Sequence, residues 1–232
     1  MIRIISICIL IGLITPVAIS ATGEGIEKKL SPGELNRIEQ GELVYKEKEV
    51  EGSVWPERKI YAVIPVEPVE AAAVFADYEY QKEYIPDMVE ATVIRQDSPT
   101  ETVVSYLVEM PWPVVKEEFT NSHTIKTYRE DGGDGYLIAW EQLDGSSAEN
   151  SHGSARFEPY DEGRCIMEYT SFIQPKSALA GLGFVEKKGK ENLKKSVTAL
   201  IDEIIEVRRN KTNLLLEQLQ QLQAALDGTY VY

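Results

Sequence analysis

The feature that most constrains the fold is a run of strand-like segments followed by one long amphipathic helix. Between residues 89 and 173 the chain alternates apolar and polar side chains in short stretches, which turn-forming sequences rich in Asp, Gly, Ser and Pro separate. Such turns return the chain beside the strand that it has just left, so sequential strands form an antiparallel sheet. We predict strands over 89–96, 101–110, 117–128, 135–143, 154–159 and 165–173.

The segments around this run complete the predicted order. Residues 43–50 and 59–66 have the composition of two further strands, and 66–86 has apolar residues at helical spacing up to Pro86. Residues 182–208 carry apolar residues at three- and four-residue steps, which predicts a long helix with one buried stripe. A short helix is expected over 31–39, because a serine N-cap precedes a proline.

This order predicts an α+β fold with an antiparallel sheet of about seven strands and a long C-terminal helix. One helix can cover only part of one face of a sheet of that width. The rest of the face must therefore enclose a cavity or meet solvent.

The first residues are typical of a targeting signal. Residues 1–21 contain Arg3, an apolar run and small residues around a cleavage position near Ser20, which is the pattern of a secretory signal peptide. The alternative is an uncleaved anchor, although the apolar run before Pro16 is short for a bilayer of about 30 Å. We expect a periplasmic or secreted protein.

The remaining chain divides into three parts. Residues 22–33 are polar and contain glycine, and we interpret them as a linker to a domain over 34–209. Residues 210–232 continue a helical pattern through a row of leucines, as a C-terminal helical extension. This extension either pairs with another chain, folds back on the domain or docks on a membrane.

Charge and cysteine content exclude several classes of function. A formal net charge of −14 disfavours a nucleic-acid partner, because phosphate backbones are bound by clustered Lys and Arg. Cys165 alone remains after cleavage of a leader that holds Cys8, so no intrachain disulfide is expected. His123 and His152 do not have the spacing of metal ligands, and no phosphate-binding loop is present. We expect neither a metal nor a cofactor, and binding rather than catalysis.

Several motifs resemble one known family. Residues 110–113, Met-Pro-Trp-Pro, are followed by Glu118-Phe119; residues 153–159 and 163–169 match a second hairpin motif; and Gln-Pro-Lys at 174–176 leads into the last helix. In this order the motifs resemble StAR-related lipid-transfer (START) domains of the SRPBCC superfamily, which includes polyketide cyclases and birch-allergen-like proteins. The resemblance covers about residues 34–207.

The resemblance implies a helix-grip fold, in which a curved antiparallel sheet wraps around the long C-terminal helix. It also implies an internal cavity for a lipid, sterol, quinone or similar molecule. We expect the loop over 177–184 and the neighbouring turns to form a gate that opens for exchange. We therefore predict an exported binding or carrier protein for a hydrophobic small molecule. The alternatives are a polyketide cyclase or aromatase-like enzyme that uses the same cavity, and a ligand-free protein-interaction module.

The sequence departs from the family at two places. Glu117-Glu118 stands where the family has Arg-Asp, and His123 stands where some members have a buried arginine. If the strand face of Phe119 looks inward, Asn121 and His123 are polar contacts for a ligand; if it looks outward, they are surface residues. In the enzyme alternative, His123 acts with Tyr106 or Tyr169 as an acid–base pair.

Strand alternation supplies the remaining candidates for the wall of a cavity, although the same pattern also describes a solid core. Transient membrane contact and self-association through the C-terminal helix are left open. The candidate ligand-binding residues are Tyr106, Val108, Met110, Trp112, Asn121, His123, Ile138, Trp140, Met167, Tyr169, Ser171, Leu182 and Val185.

Overall fold

The structure is a computed structural model that describes residues 24–109, 116–130, 133–145, 147–176 and 183–229. The described strands are β1 Val44–Lys48, β2 Glu57–Ile64, β3 Met88–Ser98, β4 Glu101–Glu109, β5 Lys116–Glu130, β6 Gly133–Gly145, β7 Ala148–Asp161 and β8 Arg164–Pro175. The described α-helices are α1 Pro32–Glu39, α2 Pro68–Ala76, α3 Gly183–Asn210 and α4 Thr212–Leu226, with short 3-10 helices at Glu27–Lys29 and Glu79–Glu83.

The strands form one curved antiparallel sheet in the order β1-β2-β8-β7-β6-β5-β4-β3. The predicted antiparallel sheet is confirmed, with eight described strands instead of about seven. The β1–β2 hairpin joins the sheet through β8, where Ile60 pairs with Tyr169 and Ala62 with Met167. The second strand therefore lies beside the last one, and β1 forms an edge of the sheet.

One face of the sheet, here called the inner face, is packed against α2, α3 and α4. Alternate strand residues such as Ile60, Ile138 and Phe157 are buried there together with Leu200 and Ile204 of α3. The consecutive alanines of α2 allow its backbone to approach β6 and β7 closely. The inner face therefore holds the main hydrophobic core.

The N-terminal segment covers the part of the outer face formed by β1, β2 and β8. Ile26 and Ile38 are buried in a second apolar cluster with Tyr61 and Ile166, and Lys29 forms an ion pair with buried Glu168 at 2.9 Å. Part of the stretch that the sequence indicated as a linker thus packs against the sheet.

The predicted helix over 66–86 is wrong in its second half. The helix α2 ends at Ala76, and a separate 3-10 helix follows at Glu79–Glu83. The side chain of Gln81 donates a hydrogen bond to the Phe75 carbonyl at 2.9 Å, where a continuing helix would use a backbone N–H. Apolar spacing carried on past this break, so periodicity alone did not reveal it.

The C-terminal segment folds back on the domain. The chain leaves helical geometry at Lys211, and α4 packs mainly against α2 with Leu215 and Leu222 buried. The ammonium of Lys211 donates to Glu203 at 2.6 Å and to the Tyr80 hydroxyl at 2.9 Å, which fixes the turn between α3 and α4. Within the described ranges, the helices are too short or too polar to span a bilayer.

Candidate functional site

The inner face has two halves that differ in burial. In the half beneath α2, α4 and the end of α3, called the closed half, Val104, Ile125, Ile138, Phe157 and Met167 are buried. Each of these strands continues towards the other end of the sheet, called the open half. There several inward-facing residues are half-buried, whereas Arg58 and Glu117 on the same face are buried. The half-buried ones are Val108, Phe119, Gln142, Tyr169 and Ser171.

The path of α3 explains the open half. Its second half packs on α2, but its first half runs along the β1–β2 edge, where Lys190 contacts the Tyr45 ring and Gly189 faces Trp55. Among the elements that the structure describes, no helix covers the middle strands at this end. The open half is therefore a concave surface with apolar and polar side chains.

The candidate residues divide according to these halves. Tyr106, Asn121, His123, Ile138, Trp140 and Met167 are buried on the inner face, and Val108, Tyr169 and Ser171 are half-buried in the open half. Val185 is half-buried in the first turn of α3. Met110, Trp112, Leu182 and most of the predicted gate over 177–184 lie outside the described residues.

His123 faces inward, which decides the alternative left open by the sequence. Its imidazole is 3% exposed, its Nε2 atom lies 3.0 Å from the Tyr106 hydroxyl, and its ring centroid lies 4.3 Å from that of Tyr78. The other nitrogen, Nδ1, is buried and has no hydrogen-bond partner in the described part of the chain. A buried polar atom without a partner is rare in folded proteins and calls for an explanation.

Burial also sets the charge of this pair. Desolvation lowers the pKa of His123 to about 3 and raises the pKa of Tyr106 well above its usual range. Both groups are therefore neutral near pH 7. The pair offers uncharged hydrogen-bonding atoms in an apolar setting.

Aromatic rings line the boundary between the two halves. The ring of Trp140 lies 5.2 Å from that of Tyr169 and 6.1 Å from that of Phe75. The Trp140 ring lies over Gly153, where an added Cβ would come within 2.3 Å of both the ring and the Thr170 carbonyl. Gly153 is therefore required for this packing. Tyr84 adds a buried hydroxyl with no hydrogen-bond partner among the described residues.

Sequence reasoning missed Arg58. It pairs with Glu47 on β1 and Ser171 on β8, so it lies on the inner face in the open half, and it is 4% exposed. Its guanidinium stacks on Trp55 at 5.2 Å. Its alternation with Ile60 and Ala62 was the available signal, but a charged residue at the start of a strand resembles a surface position.

Two cavities lie elsewhere in the described part of the chain. A cavity of about 40 Å³ between α4 and the sheet, lined in part by Asp77, Thr102 and Gln218, has room for little more than water. A depression of about 540 Å³ lies at the outer turns, beside Glu67 and Gly163. None of the described candidate residues lines either one.

The described residues show no cluster of metal ligands on this face. The structure brings together no group of three or more metal-ligating side chains in the ranges that it describes. Cys165 is buried in the closed half, and burial raises the pKa of its thiol. His152 is exposed on the outer face beside Phe172.

These features define the chain as a helix-grip protein of the START type at the level of its fold. Human STARD10 is similar with a TM-score of 0.63 at 16% identity, over 78% of this chain and 76% of that one. A STAR-related lipid transfer protein from Xanthomonas axonopodis is similar with a TM-score of 0.59 at 16% identity, over 70% and 93% of the two chains. The Zhui aromatase/cyclase from Streptomyces is similar with a TM-score of 0.55 at 13% identity, over 73% and 98%.

The helix-grip fold implied by the sequence resemblance is thus confirmed. No family model matches the chain. No curated protein matches it either.

Proposed function

We propose that this protein binds a hydrophobic small molecule against the open half of the inner face and carries it. The observation on which this depends is the contrast in burial along single strands, from Met167 to Tyr169 and Ser171 on β8 and from Ile125 to Phe119 on β5. Apolar side chains left half-buried on a concave surface bind apolar molecules, because each Å² removed from water contributes about 25 cal/mol.

Polar side chains at the boundary between the open and closed halves supply specific contacts for the ligand. Asn121 and His123 lie on β5 next to Tyr106, and the free Nδ1 of His123 can bond one ligand hydroxyl or carbonyl. A few such groups within an apolar wall fix a ligand's orientation. The similar structures include proteins named for lipid transfer, which supports a lipid-like ligand.

The cyclase alternative receives less support from the site. Acid–base catalysis works best when the pKa of the base lies near the working pH, and burial lowers the pKa of His123 to about 3. The neutral pair of His123 and Tyr106 is better suited to binding than to proton transfer. An enzyme would show turnover of an aromatic polyketide that disappears in His123→Ala.

Native mass spectrometry of protein purified from its own host, followed by lipid extraction, tests the carrier. Ser171→Trp fills the open half and is expected to reduce retained ligand at least tenfold. Thr170→Trp is the matched control, because the neighbouring residue points to the outer face. A native protein that retains no lipid and binds no hydrophobic fluorescent probe would support the interaction-module alternative instead.

We also propose that the protein is exported, on the strength of the signal-peptide pattern in residues 1–21. Cell fractionation and N-terminal sequencing of the mature chain test this. A first residue near Ala21 or Thr22 in a periplasmic or secreted fraction supports export, and an intact Met1 in the cytoplasm contradicts it.

A further inference from the structure

Arg58 is a buried cation that faces the proposed ligand surface. Its backbone pairs with Ser171, and its side chain alternates with Ile60 on the inner face of β2. The guanidinium lies between Trp55 and the first half of α3, with its Nη1 atom close to Gly189. This places a full positive charge beside the open half.

The partners of Arg58 do not satisfy it. Its Nε atom donates to Glu47 at 3.4 Å, and its Nη2 atom lies 3.7 Å from a carboxylate oxygen of Glu186. Nη2 is buried and has no hydrogen bond to any residue that the structure describes. The side chain of Glu186 is itself 42% exposed. A buried guanidinium that keeps one nitrogen without a hydrogen bond is costly, so the Nη2 atom of Arg58 calls for an explanation.

Arg156 on the outer face shows what a satisfied arginine looks like in the same sheet. Its Nη2 atom bonds Glu158, its Nε donates to the Tyr128 hydroxyl at 3.2 Å, and its Nη1 lies 3.5 Å from Glu168. Each of its three nitrogens has a hydrogen-bonding partner. The deficit at Arg58 is therefore local to the ligand side of the sheet.

The helix opposite Arg58 adds positive charge in an otherwise acidic protein. Residues 186–195 contain five lysines and two glutamates, whereas the whole chain has a formal net charge of −14. Lys190 and Lys194 lie over the Tyr45 ring, at 4.2 and 4.8 Å from its centroid, next to the strand position of Arg58. Such a local field attracts anions to this end of the molecule.

We infer that the ligand is an anionic amphiphile, whose carboxylate or phosphate head binds Arg58 while its apolar part covers the open half. This inference rests on the proposed function and specifies its ligand class. The planar guanidinium can bond two oxygens of such a head at once. The loosely paired, partly exposed Glu186 is the group that the head displaces.

The test compares three probes of equal chain length on the full protein: oleate, oleyl alcohol and oleoyl lysophosphatidate. Native protein is expected to bind one or both anions at least tenfold more tightly than the alcohol, measured by competition with a fluorescent fatty probe. In Arg58→Met this preference disappears, and affinity for the alcohol stays within about twofold. Lys59→Met, the neighbour that points to the outer face, keeps the preference.

The outcomes separate the two proposals. If the alcohol binds as tightly as both anions, or Arg58→Met weakens all three probes equally, the anionic head is wrong while the carrier stands. If no probe binds, the carrier fails and the inference with it. A preference for oleate assigns a carboxylate, and a preference for lysophosphatidate assigns a phosphate.

Thermal unfolding without ligand gives a second readout. An arginine kept for binding costs stability, so Arg58→Met is expected to match or exceed the melting temperature of the native protein. A fall in melting temperature larger than that of Lys59→Met would show that Arg58 mainly holds β2 and α3 together, and would overturn the inference.

Discussion

The closed and open halves of the inner face belong to the same strands but have different roles. In the closed half three helices complete a solid core around Phe157 and Met167, while in the open half Phe119, Tyr169 and Ser171 remain half-buried. The difference arises from helix placement rather than from strand composition, since both halves carry aromatic and aliphatic residues. A single sheet can thus supply stability at one end and a ligand surface at the other.

The largest expected effect comes from replacing one phenylalanine by alanine in each half and comparing the two variants. Phe157→Ala removes a fully buried ring and is expected to cost about 3–5 kcal/mol in the free energy of unfolding. Phe119→Ala removes a half-buried ring and is expected to cost about 1 kcal/mol while weakening ligand binding. Urea denaturation and probe binding measure both. Equal costs at the two positions would remove the distinction between the halves.

His123, at the boundary between the halves, predicts that the free energy of unfolding depends on pH. The folded pKa of His123, about 3, is lowered from an unfolded value near 6.5, so the unfolded chain binds the extra proton first as the pH falls. The stability contributed by neutral His123 is full above pH 6.5 and is lost towards pH 3, by about 1.4 kcal/mol per pH unit.

The measurement is the free energy of unfolding of the native protein and two variants between pH 6.5 and pH 4. Between pH 6.5 and pH 4, the free energy of unfolding of His123→Gln is expected to fall by about 3 kcal/mol less than that of the native protein. His152→Gln, at the exposed histidine of the outer face, is expected to leave it unchanged. Parallel profiles for all three proteins would show that His123 is not buried as described.

The smallest expected effect tests the packing of Trp140. Gly153→Ala places a methyl group against the indole and the Thr170 carbonyl, and is expected to destabilise the protein by about 1–3 kcal/mol and to shift tryptophan fluorescence. Gly33→Ala is the control, because nothing lies within 4 Å of a Cβ in that position of α1. The control is expected to be neutral or slightly stabilising. Comparable losses in both variants would argue against the described contact.

Much of the architecture could be predicted from local patterns. Strand alternation and the turn sequences between residues 89 and 173 predicted the antiparallel sheet, and apolar spacing predicted α3 to within about two residues at each end. The helix over 66–86 was wrong because the bond from Gln81 to Phe75 is a side-chain contact that spacing does not record.

The sequence by itself determined the order of strands, turns and helices, because these follow from backbone preferences and from periodicities of two and 3.6 residues. The tertiary structure alone decided which strand face α3 covers and at which point along the strands α3 stops covering it. It also placed Arg58 and His123 on the same face of the sheet. Alternation defines two faces for every strand but does not say which one the helices will bury. That choice depends on contacts between residues far apart in the chain, such as Tyr80 with Glu203 of α3 and Asp77 with Gln218 of α4.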